Sequence, residues 1–185
     1  MRRIMAWLCV TWPLGLGLTI LWNSSVLFDA VALVRLSNVL DTTAASWLTA
    51  AVGYAGLLAT ASCTKPLRLG PTATTAWSVL AVCFYTLHLF LLRWPWMAGA
   101  LEPGSRLAQW SGVLSATNWG APWSAFLELL CIAVLITHAR SGVLALASGF
   151  SLEIRERVAR SSFGVCAWLC LQASSVVIVL ATGRR

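Results

Sequence analysis

Five stretches of this chain, Ile4–Trp22, Ala44–Cys63, Thr75–Met97, Ala121–Arg140 and Ser162–Thr182, are almost continuously apolar, and the charged residues fall between them. A helix rises ~1.5 Å per residue, so ~20 apolar residues cover the ~30 Å of bilayer hydrocarbon. Lipid offers no hydrogen bonds to a bare amide, so a spanning segment is either a helix or a strand of a closed barrel. None of the runs alternates as barrel strands do. The pattern predicts an all-α polytopic membrane bundle of five transmembrane helices. Composition agrees: 10% of the residues are charged, against about 25% in a soluble domain. Residues 1–43 read as an N-terminal anchor helix followed by an interfacial helix, and residues 44–185 as a four-helix membrane unit.

Orientation follows from the basic residues. With the N-terminus in the cytoplasm, that side collects Arg2, Arg3, Lys65, Arg68, Arg140, Arg155, Arg157 and Arg160. The other side holds Arg35, Arg93, Arg106, Arg184 and Arg185. The positive-inside rule therefore predicts N-in and C-out. The net charge of +7 then serves attraction to anionic lipid, and no nucleic-acid partner is called for. Met1-Arg2-Arg3 before an apolar run resembles a secretory signal. The Trp12-Pro13 interruption and the lack of a small-x-small site in Asn23–Ala30 favour an uncleaved anchor. Tryptophans sit toward the predicted interfaces, Trp22, Trp47, Trp94, Trp96, Trp110, Trp119 and Trp123 at the external one, as an aromatic belt requires.

The connections have their own signatures. Asn23–Thr43 mixes apolar residues with Asp29 and Arg35 and reads as an amphipathic helix lying in the interface. Thr64–Thr74, with Pro66, Gly70 and Pro71, is a tight cytoplasmic turn. The external connection Ala98–Gly120 is expected to fold as a short helix over Arg106–Val113. Gly142–Phe150 reads as an overrun of the fourth helix, continuing into a charged helix through Ser151–Arg160. Ala51-x-x-x-Ala55 and Gly53-x-x-Gly56 mark close helix contacts, because small residues let backbones approach in lipid.

Ionisable groups inside the spans are functional candidates, since charge in hydrocarbon is costly. They are His88, Glu128 and His138. Counting from the helix ends at ~1.5 Å per residue, His88 and Glu128 lie at similar depth, roughly 10–14 Å below the external surface, and are placed to meet across antiparallel helices. His138 lies near the cytoplasmic face. That separation argues against haem, because bis-histidine ligation needs both imidazoles at one level. His88 and Glu128 are the candidate metal ligands, and imidazole with nearby sulfur suits copper. The cysteines show no CxxC or CxxxH array, and each reads as a small hydrophobe. No P-loop, GxGxxG, HExxH or GxSxG signature occurs, and the chain is not expected to be an enzyme.

The segment MAGALEPGSRLAQWSGVLSATNWGAPWSAFLELLCIAVLI, with Thr117-Asn118-Trp119-Gly120-Ala121-Pro122-Trp123 at its turn, resembles the copper resistance protein D (CopD) family over about Ala44 to Thr182. Thr117, Trp119, Gly120 and Trp123 of this motif, with Trp94 and Trp96 of the belt on the other side of the loop, are the candidate structural residues of the external loop. The resemblance implies a bacterial inner-membrane protein of copper uptake or tolerance, working with a periplasmic metal carrier. Ala44–Cys63 and Ser162–Thr182 contain no histidine, so no ligand set comes with it. Three readings thus stand: copper handling, a non-catalytic accessory subunit packed with other membrane subunits or copies of itself, and a redox or proton-relay subunit built on His88 and Glu128.

Overall fold

A computed structural model describes residues 11–20, 43–63, 71–99, 106–117 and 121–182. These residues form helices α1 (residues 11–20), α2 (Thr43–Cys63), α3 (Pro71–His88, continued by Leu89–Arg93 and Trp94–Met97), α4 (Arg106–Ser115), α5 (Trp123–Ala147) and α6 (Leu152–Thr182). The protein is an all-helical membrane protein. Three helical segments are long and apolar enough to cross a bilayer: Ala76–Arg93 within α3, α5 and α6. The apolar part of α2 is the shorter Ser46–Ala61, because Thr42-Thr43 and Ser62-Cys63-Thr64 bound it with polar or small residues. The first expected span is described only over residues 11–20, and the interfacial helix expected over Asn23–Thr43 lies outside the described residues but for Thr43.

Large apolar side chains stay exposed on every long helix, among them Leu48 on α2, Phe90 on α3, Leu130 on α5 and Leu171 on α6. Water does not tolerate so extensive an apolar surface, whereas acyl chains do. Helix α5 is central, packing against α2, α3, α4 and α6. Trp12, Leu57, Ala81, Tyr85 and Leu135 build one core from α1, α2, α3 and α5. Leu92, Trp110, Leu114, Val176 and Val177 build a second, where α4 folds back against α3 and α6. Ile20 joins α1 to Ile136 and Ala173 in a third.

Close approach explains the glycines of this core. A β-carbon on Gly53 would overlap the Tyr85 phenol, and one on Gly56 would overlap the Trp12 side chain. On α5, Gly142 receives the side chain of Thr60. The Gly53–Gly56 pair is thus a contact face, set against large aromatic side chains rather than against another backbone. The alanine pair is a correction: Ala51 is exposed and Ala55 only half-buried, because the helical turn that aims Gly53 and Gly56 inward aims Ala51 outward.

One connection differs from expectation. Helix α5 does not run on through Ser151–Arg160. It ends at Ala147, in a turn closed by Ser148 N–H to the Leu144 carbonyl at 3.1 Å and Phe150 N–H to the Ala147 carbonyl at 3.0 Å. The charged residues are instead the first turns of α6, a single helix of 31 residues. At ~1.5 Å per residue it exceeds the ~30 Å hydrocarbon by about ten residues, which matches the charged stretch. There Arg157 pairs with Glu153 at 2.5 Å and Arg160 with Glu156 at 3.9 Å, exposed contacts that contribute little to stability. In the connection between α3 and α5 the expected short helix is present as α4, Arg106–Ser115.

Gly53→Val forces the Tyr85 phenol out of place and should destabilise the bundle by ~1–3 kcal/mol, the usual cost of overpacking. Gly164→Ala, with open space at its β-carbon, should be neutral or mildly stabilising. Thermal unfolding of both variants in mild detergent checks the contrast.

Candidate functional site

Helix α3 carries a built-in irregularity at the site. Pro95 has no N–H and its ring collides with the carbonyl four residues back, so a regular helix cannot pass through Trp94-Pro95-Trp96 unaltered. The chain responds with a π turn over Leu89–Arg93, in which the Trp94 N–H bonds the Leu89 carbonyl five residues back. Such single turns are widened by one residue and are common at functional sites. Carbonyls within and beyond it find side-chain donors: Trp110 Nε1 donates to Leu92 O at 2.9 Å and Trp47 Nε1 donates to Met97 O at 2.9 Å. These bonds clamp the C-terminal end of α3 to α4 and α2.

His88 is the last α-helical residue before this turn. Glu128 sits on α5, five residues after Trp123, and is 3% exposed. The two side chains meet, with His88 Nδ1 2.7 Å from Glu128 Oε1. The distance is that of a charge-assisted hydrogen bond. The proton between them can rest on nitrogen or on oxygen without changing the net charge of the pair. Oε2 of Glu128 is buried and has no hydrogen-bond partner among the described residues.

The pair is held by rings. Tyr85 lies one turn before His88 on α3 and stacks on its imidazole, with centroids 6.3 Å apart and planes 14° apart. Tyr85 donates its hydroxyl to the Thr49 carbonyl of α2 at 3.2 Å and meets Trp12 of α1 edge-on at 5.7 Å. Cys131, one turn beyond Glu128, bonds through Sγ to the Phe84 carbonyl at 3.2 Å, tying α5 to α3 at the level of the pair. Four helices thereby fix one imidazole.

His88 and Glu128 line a cavity of about 320 Å³ between the helices, within the ~300–1,000 Å³ typical of small-molecule sites. Its other walls are mainly apolar, with Leu89, Ile132, Leu135 and Val176 among them, and Tyr85, Trp12 and Trp110 provide aromatic faces. Arg93 brings the positive charge to this wall and its guanidinium lies 5.7 Å from the Trp110 ring centroid, within cation–π range.

The remaining candidates are dispersed. His138 is fully buried at 1% exposure, with Nε2 3.4 Å from the Leu57 carbonyl. It follows Glu128 on the same helix by ten residues, or ~15 Å of rise, so it does not join His88. No group of three His, Cys, Asp or Glu side chains placed to hold a metal occurs among the described residues. His88 and Glu128 could supply an imidazole nitrogen and a carboxylate oxygen to an ion, but only by giving up their bond to each other. Trp94, Trp123 and Thr117 are exposed, as is Trp47 at the start of α2, at 51%. Trp119 and Gly120 lie outside the described residues, and Trp96 is placed only as part of the helix. Trp110 is a correction. It is 4% exposed rather than in the belt, because its N–H is needed at the Leu92 carbonyl.

No protein-family model, curated protein or solved structure matches this chain. Tyr85, Arg93 and Trp12 also line the cavity; Arg93 reads from the sequence as a charge near the end of its span, and Tyr85 and Trp12 as uncharged aromatics. Tyr85 was detectable as the residue three before His88, which a helix places on the same face. Trp12 comes from a distant segment, and no spacing rule reaches it.

Glu128→Ala leaves the half-buried His88 without its partner and should cost ~1–3 kcal/mol, the penalty of an unmatched polar group. Replacing both, His88→Leu with Glu128→Leu, should recover most of that loss, since well-packed apolar residues often match a buried pair in stability. Unfolding of the single and double variants in detergent measures the coupling.

Proposed function

We propose that the chain is a five-pass, non-catalytic subunit of a larger complex in a bacterial inner membrane, with its N-terminus in the cytoplasm, and that His88 and Glu128 relay protons within the external half of the bilayer. The observation that carries this reading is the 2.7 Å contact between an imidazole and a carboxyl group on two membrane helices. A carboxyl in hydrocarbon is costly, and its retention there marks function by default. Imidazole is the side chain whose ordinary titration lies in the physiological range, which suits it to accept and release protons. The buried second oxygen of Glu128, lacking a hydrogen-bond partner among the described residues, gives the pair an atom with which to exchange a proton beyond itself. The accessory role is supported by the scarcity of extramembrane mass in the described residues: short turns, one short helix and the charged first turns of α6.

Reconstitution into liposomes with an internal pH dye tests the relay. Glu128→Leu and His88→Leu should each reduce proton flux at least tenfold relative to the unaltered protein or its complex, whereas Thr137→Ala, at an exposed position of α5, should leave it unchanged. Equal flux in all four samples would falsify the relay.

The copper-handling reading draws on the resemblance of the Thr117–Trp123 turn to CopD-like proteins and uses the same two side chains. It predicts stoichiometric copper in the protein purified under reducing conditions, lost in both leucine variants. Elemental analysis separates the two readings, because a relay needs no metal.

A further inference from the structure

The cavity that the His88–Glu128 pair lines has a direction. Of its lining residues, those left exposed are Thr11, Gly15 and Thr19 on α1 and Leu48, Thr49 and Val52 on α2. The lining residues from α3, α4, α5 and α6 are buried or half-buried. Among the described residues the mouth therefore lies between α1 and α2, on the side wall of the bundle. Leu48 and Val52 lie five to nine residues inside α2, or ~8–14 Å below its first residue, which places that mouth at the level of acyl chains rather than of bulk water.

The mouth mixes Thr11, Thr19 and Thr49 with Gly15, Leu48 and Val52, and the Glu128 carboxyl belongs to the buried part of the lining. Aromatic faces of Trp12, Tyr85 and Trp110 and an apolar remainder enclose the cavity. Two buried polar atoms on lining residues have no hydrogen-bond partner among the described residues, Glu128 Oε2 and Trp12 Nε1. A buried acceptor or donor left unmatched costs ~1–3 kcal/mol, so a group that pairs with it is favoured by that margin. The volume of about 320 Å³ admits a ring and part of a chain. Entry from lipid, aromatic walls and a terminal carboxyl oxygen together specify one kind of occupant.

We propose that this cavity binds a membrane-dissolved molecule with a flat aromatic head bearing a hydroxyl group and an apolar tail, of which an alkylphenol is the simplest representative. The head lies among Tyr85, Trp12 and Trp110, its hydroxyl hydrogen-bonds the second oxygen of Glu128, and the tail leaves between α1 and α2 into the bilayer. The choice of a hydroxyl-bearing head rests on the reading of His88 and Glu128 as a proton-exchanging pair, since such a head is a group with which that pair can share a proton. Binding itself requires only the free oxygen and the lateral mouth.

The probe is 4-octylphenol carrying a photoreactive diazirine in its tail, applied to the full-length protein in nanodiscs, with labelled residues mapped by mass spectrometry. Saturable labelling of α1 and α2 around Gly15–Thr19 and Leu48–Val52 is expected. Unlabelled 4-octylphenol should compete, and octylbenzene, which lacks the hydroxyl, should compete about tenfold less well, the discrimination one buried hydrogen bond provides. Glu128→Leu should weaken phenol binding by a similar factor and bring the two competitors level. Equal competition by octylbenzene in the unaltered protein would show an undiscriminating apolar gap and overturn the proposal, as would absence of labelling at the mouth, which would show that the chain itself closes it. Proton flux measured without phenol keeps the two proposals apart. Flux lost in the leucine variants with no phenol discrimination removes only the ligand, and phenol discrimination with unaltered flux removes only the relay.

Discussion

A carboxyl group in hydrocarbon can be neither left bare nor cheaply ionised, and the packing of this protein follows from where Glu128 has been put. Its partner must come from another helix at the same depth, which fixes the register of α3 against α5. The imidazole must then be held steady, and Tyr85 stacked on His88, with its own hydroxyl tied to the Thr49 carbonyl, does so from α2. Placing Tyr85 there requires α2 to come close, which only a residue without a side chain at position 53 permits. Trp12 against Gly56 extends the same sequence of contacts to α1. The aromatic and glycine positions of the first half of the chain are intelligible as supports for one buried hydrogen bond.

The other half answers a different demand. Pro95 disturbs α3 just beyond His88, and backbone carbonyls near a break in a membrane helix have to find donors without water. The indoles of Trp110 and Trp47 bond the Leu92 and Met97 carbonyls on either side of Pro95, and Ser111 adds a bond to the Leu180 carbonyl of α6 at 2.9 Å. In a soluble protein water would meet these needs. Here side chains do, and the result is one end of the bundle bound across α2, α3, α4 and α6. At the opposite end, where α5 turns into the charged start of α6, backbone turn bonds, exposed ion pairs and the contacts of Arg140 with the Ala159 carbonyl and the Phe163 ring hold the two helices.

Much of this was legible in the sequence because the solvent is so restrictive. Hydropathy located α3, α5 and α6, and counting rise per residue brought His88 and Glu128 to one depth before any coordinates were considered. Gly53 and Gly56 were readable as a contact face, since small residues in a span have few other uses. What was hidden depends on partners distant along the chain. Whether Trp110 meets lipid or a carbonyl cannot be told from its spacing, because either fate suits an indole near an interface. The cavity was invisible for the same reason: it is a space left by six segments, and no single segment describes it. The end of α5 was misplaced because Gly142–Phe150 is apolar enough to continue a helix, while the turn at Ser148–Phe150 is fixed by local backbone bonds that composition does not reveal.

The π turn at Leu89–Arg93 has a meaning on another timescale. A widened turn is what remains when a helix takes up one additional residue while the flanking turns keep their faces. Removing one residue between His88 and Trp94 would close the π turn and leave Pro95 alone to kink the helix, with the imidazole and the Trp-Pro-Trp end kept on the faces they now occupy. Kinship with this chain is thus to be sought in sequences that align only when a single gap is opened beside the histidine, and an ungapped comparison would bring one half of α3 into register at the expense of the other.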